Sequence, residues 1–134
     1  MTYWHGKAMG YERTYVANPY LAHIIASLMY ARSLAGAHGD LDGALRELET
    51  LTAILPEQVR REVLETVEPI RLELEDFLAS IPGRVLTREE QEQLDALQHR
   101  LALTWLSAIV DSMAQHGIAL WTRHVRVKGE GEEA

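Results

Sequence analysis

Six histidines, one aspartate inside an apolar run and a basic C-terminal cluster are the residues of this chain best suited to chemistry. His116 and His124 stand eight apart and His99 lies further back, so no His-x-x-x-His pair sets two imidazoles on one helical face for a metal. The Glu-x-x-His spacing of carboxylate-bridged metal bundles is also missing. Asp111, between Ile109-Val110 and Met113, could be a buried acid. It also falls in line with Ser107 and Gln115, so a solvated helix edge accounts for it without catalysis. The chain has no cysteine, hence no disulfide, no thiolate metal site and no Cys/His nucleophile. It has neither a glycine-rich phosphate loop nor a Gly-x-Ser-x-Gly elbow. The expectation is a protein that is not an enzyme, with no catalytic residue, no metal and no cofactor.

Two other clusters suit recognition. Residues 1–17 hold Tyr3, Trp4, Tyr11 and Tyr15, four of the nine aromatics, spaced by Gly6 and Gly10 and interleaved with Lys7 and Arg13. Tyr11, Arg13 and Tyr15 alternate with Glu12, Thr14 and Val16, which is the period of extended chain. Aromatics on a segment with no core of its own suit an arm that packs on something else. At the other end Arg123, His124, Arg126 and Lys128 follow Trp121, a set that could hold phosphate and stack a base. A basic helix end complementing the macrodipole explains the same residues. The expected protein contacts are therefore Tyr3, Trp4, Tyr11, Tyr15 and Trp121. The expected nucleic-acid contacts, if there are any, are Lys7, Arg13, Arg123, Arg126 and Lys128.

The elements that must position these residues read as helices. Asn18-Pro19 is an N-cap followed by proline at the first helical position, and Leu21, Ile24, Ile25, Leu28, Met29 and Leu34 carry that helix to Gly36. Asp40 or Asp42 caps a second, with Leu41, Leu45, Leu48, Leu51 and Leu55 in one stripe. Pro56 opens a third, in which Val59, Val63, Val67, Ile70, Leu74 and Phe77 step by three and four. Pro69 lies inside it and predicts a kink near Glu65–Pro69. The longest pattern starts at the capping box Thr87-x-x-Glu90 and runs to about His124, unless Gly117 stops it. In its middle Arg100, Thr104, Ser107, Asp111 and Gln115 form a narrow polar line that leaves roughly four-fifths of the circumference seeking cover.

The fold expected is all-α, a four-helix bundle with the last helix longest. It comprises an N-terminal arm (1–17), the bundle (18–128) and a disordered acidic tail (129–134). The second and third helices have wide charged faces and suit outer positions. The first and last are apolar nearly all round and ask for more cover than a simple bundle provides. Either the arm or a second chain would supply it. Trp105 is expected to be buried, flanked on its own face by Leu101, Ala108 and Ile109.

At 134 residues and 47% hydrophobic content, one domain can bury a core without staples. The net charge of −7 opposes a protein that coats nucleic acid, although the acid is concentrated in residues 40–95, which sum to −9. No basic-then-apolar leader opens the chain and no apolar run spans a bilayer, so the expectation is a soluble, cytoplasmic protein without membrane contact. In size and architecture alone it resembles the helical small subunits of CRISPR interference complexes and the helical coat proteins of some archaeal viruses. No residue signature of either is present, so that resemblance assigns no site. The leading expectation is a non-enzymatic protein acting by protein–protein association, its partner itself or another subunit. The alternative is an accessory nucleic-acid-contacting subunit of a nucleoprotein complex.

Overall fold

The computed structural model describes residues 18–81, 83, 85–118 and 120, which form an all-α bundle of four helices with no strand among them. They are α1 (Pro19–Ala35), α2 (Leu41–Thr52), α3 (Glu57–Ala79) and α4 (Arg88–Gln115). Each start is set by local chemistry. The Asn18 side chain accepts from the Leu21 N–H at 3.2 Å, with Pro19 in the first turn. Asp40, not Asp42, caps α2 by accepting from Gly43 N–H at 2.9 Å. At α4 both arms of the capping box form: Thr87 Oγ1 accepts from Glu90 N–H at 3.1 Å, and Glu90 accepts from Thr87 N–H at 3.0 Å. Helix α3 starts after Pro56 without a side-chain cap and continues through Pro69 as one segment.

The last helix is the longest, as the pattern predicts, but it does not reach His124. It ends at Gln115, and Gly117 adopts φ +88°. Gly117 N–H donates to Ala114 carbonyl at 3.0 Å and Ile118 N–H to Met113 carbonyl at 2.8 Å. That pair of bonds is a Schellman ending, which needs a left-handed residue and so favours glycine. The apolar period runs on past this stop, because Ile118 and Leu120 return to the core by way of the turn rather than on the helix.

Cross-helix bonds give the directions. Tyr20 hydroxyl donates to Ile54 carbonyl at 2.8 Å, and Ser27 hydroxyl donates to Glu47, so α1 and α2 are antiparallel. Gln98 donates to Asp42 at 2.8 Å and Trp105 to Thr52 at 2.8 Å, so α2 and α4 are parallel. The ion pair of Arg100 with Glu73 and the bond of Ser112 to Glu62 make α3 antiparallel to α4. It follows that α1 runs antiparallel to α4. One core joins Ile24 and Leu28 of α1, Ala44, Leu48 and Leu51 of α2, Val59, Val63 and Val67 of α3, and Leu101, Trp105, Ile109 and Met113 of α4.

Helix α4 packs against all three others and is the inner helix expected. Helix α1 departs from expectation. It lies on α2 and meets α4 only along an edge, while α2, whose charged face suggests an outer position, sits between them. Burial on α1 is confined to the arc of Ile24, Ser27, Leu28, Ala31 and Ala35. Met29 and Tyr30 stay 59% and 55% exposed, so among the described residues part of the apolar surface read from the sequence lies open on this helix.

Candidate interaction surface

The uncovered surface follows from helical periodicity. On α1, Leu21, Ile25, Met29 and Arg32 step by four, four and three, placing them on one edge beside the buried arc. Leu21 and Ile25 are half-buried, and Met29 and Arg32 are exposed. Helix α4 contributes Leu103, Leu106 and Val110, spaced three and four apart. Leu106 is 7% exposed where it joins the core, but Leu103 is 46% exposed. Because the helices are antiparallel, the two rows run side by side in opposite directions. Along the α4 row lies a depression of about 340 Å³ lined by Leu103, Leu106, Ser107, Val110 and Asp111, with Arg32 reaching it from α1.

The electrostatics of this depression are simple. Its lining is three aliphatic side chains and Ser107, with one cation, Arg32, and one anion, Asp111. Among the described residues, neither the Arg32 nor the Asp111 side chain makes a hydrogen bond or ion pair. Asp111 is exposed, so the solvated edge is its correct reading and the buried acid is not. The whole polar line of Arg100, Thr104, Ser107, Asp111 and Gln115 is exposed or half-buried. Leu103 and Val110 lie along that same side, so the open arc of α4 is wider than its polar line.

The opposite side of α4 is closed and pinned. Trp105 is 3% exposed; its indole N–H donates to Thr52 Oγ1 at 2.8 Å, and that hydroxyl donates to Leu48 carbonyl at 2.7 Å. The Arg71 guanidinium sits over the indole, 5.8 Å from the ring centroid. A second, charged concavity of about 280 Å³ opens here between α2 and α3, floored by Leu45, Leu74, Leu101 and Trp105.

Near the end of α4, Glu62 gathers three donors. Ser112 hydroxyl donates to Oε1 at 2.5 Å, Gln58 amide to Oε2 at 3.3 Å, and His116 Nε2 is 3.2 Å from both oxygens. These bonds, led by that from Ser112, hold the Glu62 carboxyl below the ordinary glutamate value of 4.5 against a smaller opposing effect of burial. Serine, histidine and glutamate together invite comparison with a hydrolytic triad. The order is wrong for that: a triad sets histidine between the other two, to take the serine proton. Here both serine and histidine address the carboxylate, and the cluster is a structural clamp between α3 and α4.

Neither this clamp nor the Thr52–Trp105 bond is visible in the sequence pattern. Ser112 reads in sequence as a break in an apolar run, and Thr52 as the polar end of a leucine stripe. Their four-residue offset from buried or half-buried neighbours (Ala108, Leu48) is the only local signal. The expected contacts Tyr3, Trp4, Tyr11, Tyr15 and Trp121, and Lys7, Arg13, Arg123, Arg126 and Lys128, lie outside the described residues, as does the tail 129–134. Among the described residues no group of three or more potential metal ligands converges, and no helix is long and apolar enough to cross a membrane. No protein-family model matches the chain, and no curated protein or solved structure matches it either.

Proposed function

We propose that this chain works by association: it is a subunit of a protein assembly, and the α1–α4 face is the surface through which it assembles. The observation that carries this reading is the exposure of Met29 and Leu103 on rows that continue directly into the core. An isolated exposed leucine means little, since much of any protein surface is apolar. A row shared by two helices, with an aliphatic depression beside it, is the kind of surface that partners cover. Among the described residues, the polar side chains that bond across the bundle hold helices in register.

Light scattering on the purified chain across a dilution series tests the reading. The expected result is a species larger than the 15.1 kDa monomer, converted to monomer by Met29→Glu with Leu103→Glu. A compact monomer at micromolar concentration, with the double variant unchanged in size, solubility and binding of an apolar dye, overturns it.

A further inference from the structure

We infer that the concavity between α2 and α3 binds a small zwitterion, an ω-amino acid whose carboxylate and ammonium stand about one helical turn apart. The inference is independent of the association reading, because this concavity lies on the opposite side of α4 from the open face.

Register places the charges. Helices α2 and α3 each pack on α4 and scarcely on one another, so α4 is the floor between two walls. The bonds that cross to α4 fix the level of each wall. On α2, Asp42 meets Gln98, 56 residues on, and Thr52 meets Trp105, 53 on. Arg46, one turn after Asp42, therefore stands level with Leu101 and Ala102. On α3, Glu73 meets Arg100 and Glu62 meets Ser112, with the chain running the other way. Arg71 therefore stands level with Ala102 and Leu103, and Glu75 with Gln98 and His99. Across the concavity Arg46 faces Arg71 and Asp42 faces Glu75, and all four line it.

Like charges at one level do not satisfy one another, and the walls do not resolve the conflict alone. Arg46 makes no ion pair among the described residues, although Asp42 and Glu49 lie one turn either side of it. Glu75 makes none either. Arg71 reaches Glu68 at 3.9 Å instead of Glu75, and lies over the Trp105 ring. Asp42 accepts one bond, from Gln98 at 2.8 Å, and a carboxylate can accept more. A guest with an anion for the arginine pair and a cation for the carboxylate pair relieves both levels at once. The two levels are four residues apart, about 6 Å along the axis. An extended chain of about five carbons spans that length at ordinary bond lengths. The concavity, at about 280 Å³, has room for it, and Leu45, Leu74 and Leu101 offer its methylenes apolar surface.

Calorimetry with δ-aminovalerate tests the assignment, against valerate and pentylamine, each of which keeps one of its two charged ends. The expected result is saturable binding of one equivalent per chain, at least about tenfold tighter than either half-ligand. The indole N–H resonance of Trp105, identified by its loss in Trp105→Phe, should shift on binding. Arg46→Gln and Glu75→Gln should each weaken binding at least about fivefold. Arg61→Gln, in the exposed ion pair with Glu57, should leave it unchanged. Arg46 and Glu75 are exposed, so both variants should keep the wild-type circular dichroism and melting temperature. Absence of saturable binding at millimolar ligand overturns the inference. Equal binding of valerate or pentylamine overturns it as well, since the concavity would then be a site for one charge alone. Binding that the Arg46 and Glu75 variants leave unchanged puts the ligand elsewhere and has the same consequence.

Discussion

The two sides of α4 are built from similar residues and end in opposite states. Toward α2 and α3 Leu101 and Trp105 are sealed, and polar bonds cross to neighbouring helices at both ends: Gln98–Asp42, Arg100–Glu73, Trp105–Thr52 and Ser112–Glu62. Toward α1 the aliphatic rows continue, yet among the described residues no hydrogen bond joins α1 to α4, and Leu103 stays half-exposed. The difference teaches that apolar content fixes how much of a helix seeks cover, whereas directional bonds fix which neighbour provides it. On the closed side the chain supplies both. On the open side the described residues supply the apolar surface alone.

The largest expected effect lies on the closed side. Trp105→Ala removes a buried indole, its bond to Thr52 and the surface on which Arg71 rests, and should cost about 3–5 kcal/mol. That is a large share of the roughly 5–15 kcal/mol typical of a whole domain, so the melting temperature of dilute protein should fall by more than about 10 °C. Trp105→Phe keeps most of the volume and loses the indole N–H, at about 1–2 kcal/mol. If Trp105→Ala leaves the melting temperature unchanged, α4 is not the central helix.

How far this contrast is legible in the sequence depends on the range of the interaction. Asn18-Pro19 and the Thr87–Glu90 box mark helix starts through contacts three residues apart and form as read, and of the two candidates Asp40 and Asp42 it is Asp40 that caps its helix. The burial of Trp105 follows from neighbours one turn away. The end of α4 escapes the pattern because Ile118 and Leu120 keep the apolar period going, and periodicity cannot distinguish a helix that continues from a turn that returns to the core. The place of α1 escapes it because composition states a need for cover without stating who supplies it. Glu62 with Ser112, and Thr52 with Trp105, are about fifty residues apart in sequence. Only the register of packed helices brings them together, and no local pattern encodes it.

The Glu62 clamp should give the next effect, visible as a dependence on pH. Its carboxyl is held low mainly by Ser112 hydroxyl, then by Gln58 and His116. A lowered folded value means that the unfolded chain binds the proton more readily. The stabilisation is therefore complete above the ordinary glutamate value of 4.5 and is lost as the pH falls through the lower folded value. Ser112→Ala should lower the melting temperature by a few degrees at pH 7 and less at pH 3. Glu62→Gln should flatten the acid limb of the stability curve. Parallel acid limbs in wild type and Glu62→Gln would show that the clamp contributes nothing.

A smaller change sits at the Schellman turn. Gly117 holds φ +88° with nothing within 4 Å of where a Cβ would project, so Gly117→Ala meets strain and no clash. The cost should be about 1 kcal/mol, from the left-handed conformation alone. Chemical denaturation reads it directly. A stabilised Gly117→Ala protein would mean that α4 extends past Gln115 once the glycine is gone, and that the turn is not fixed by the return of Ile118 and Leu120 to the core.

The least effect on the isolated chain should come from the open side, and that smallness is what sharpens the contrast. Met29 and Leu103 are 59% and 46% exposed, so in a dilute monomer much of each side chain is already in water. Replacing either with glutamate leaves a surface helix position filled by a residue with good helix propensity, and should change monomer stability by at most about 1 kcal/mol. The same substitutions on a surface that is covered in the assembly place a carboxylate under an apolar partner, where desolvation is costly. The two measurements should therefore separate: denaturation of dilute Met29→Glu or Leu103→Glu stays close to wild type while association is lost. A core position behaves otherwise, losing stability at every concentration. If Leu103→Glu unfolds the dilute monomer as severely as Trp105→Ala does, the side of α4 toward α1 is closed within one chain, and the two sides are alike after all.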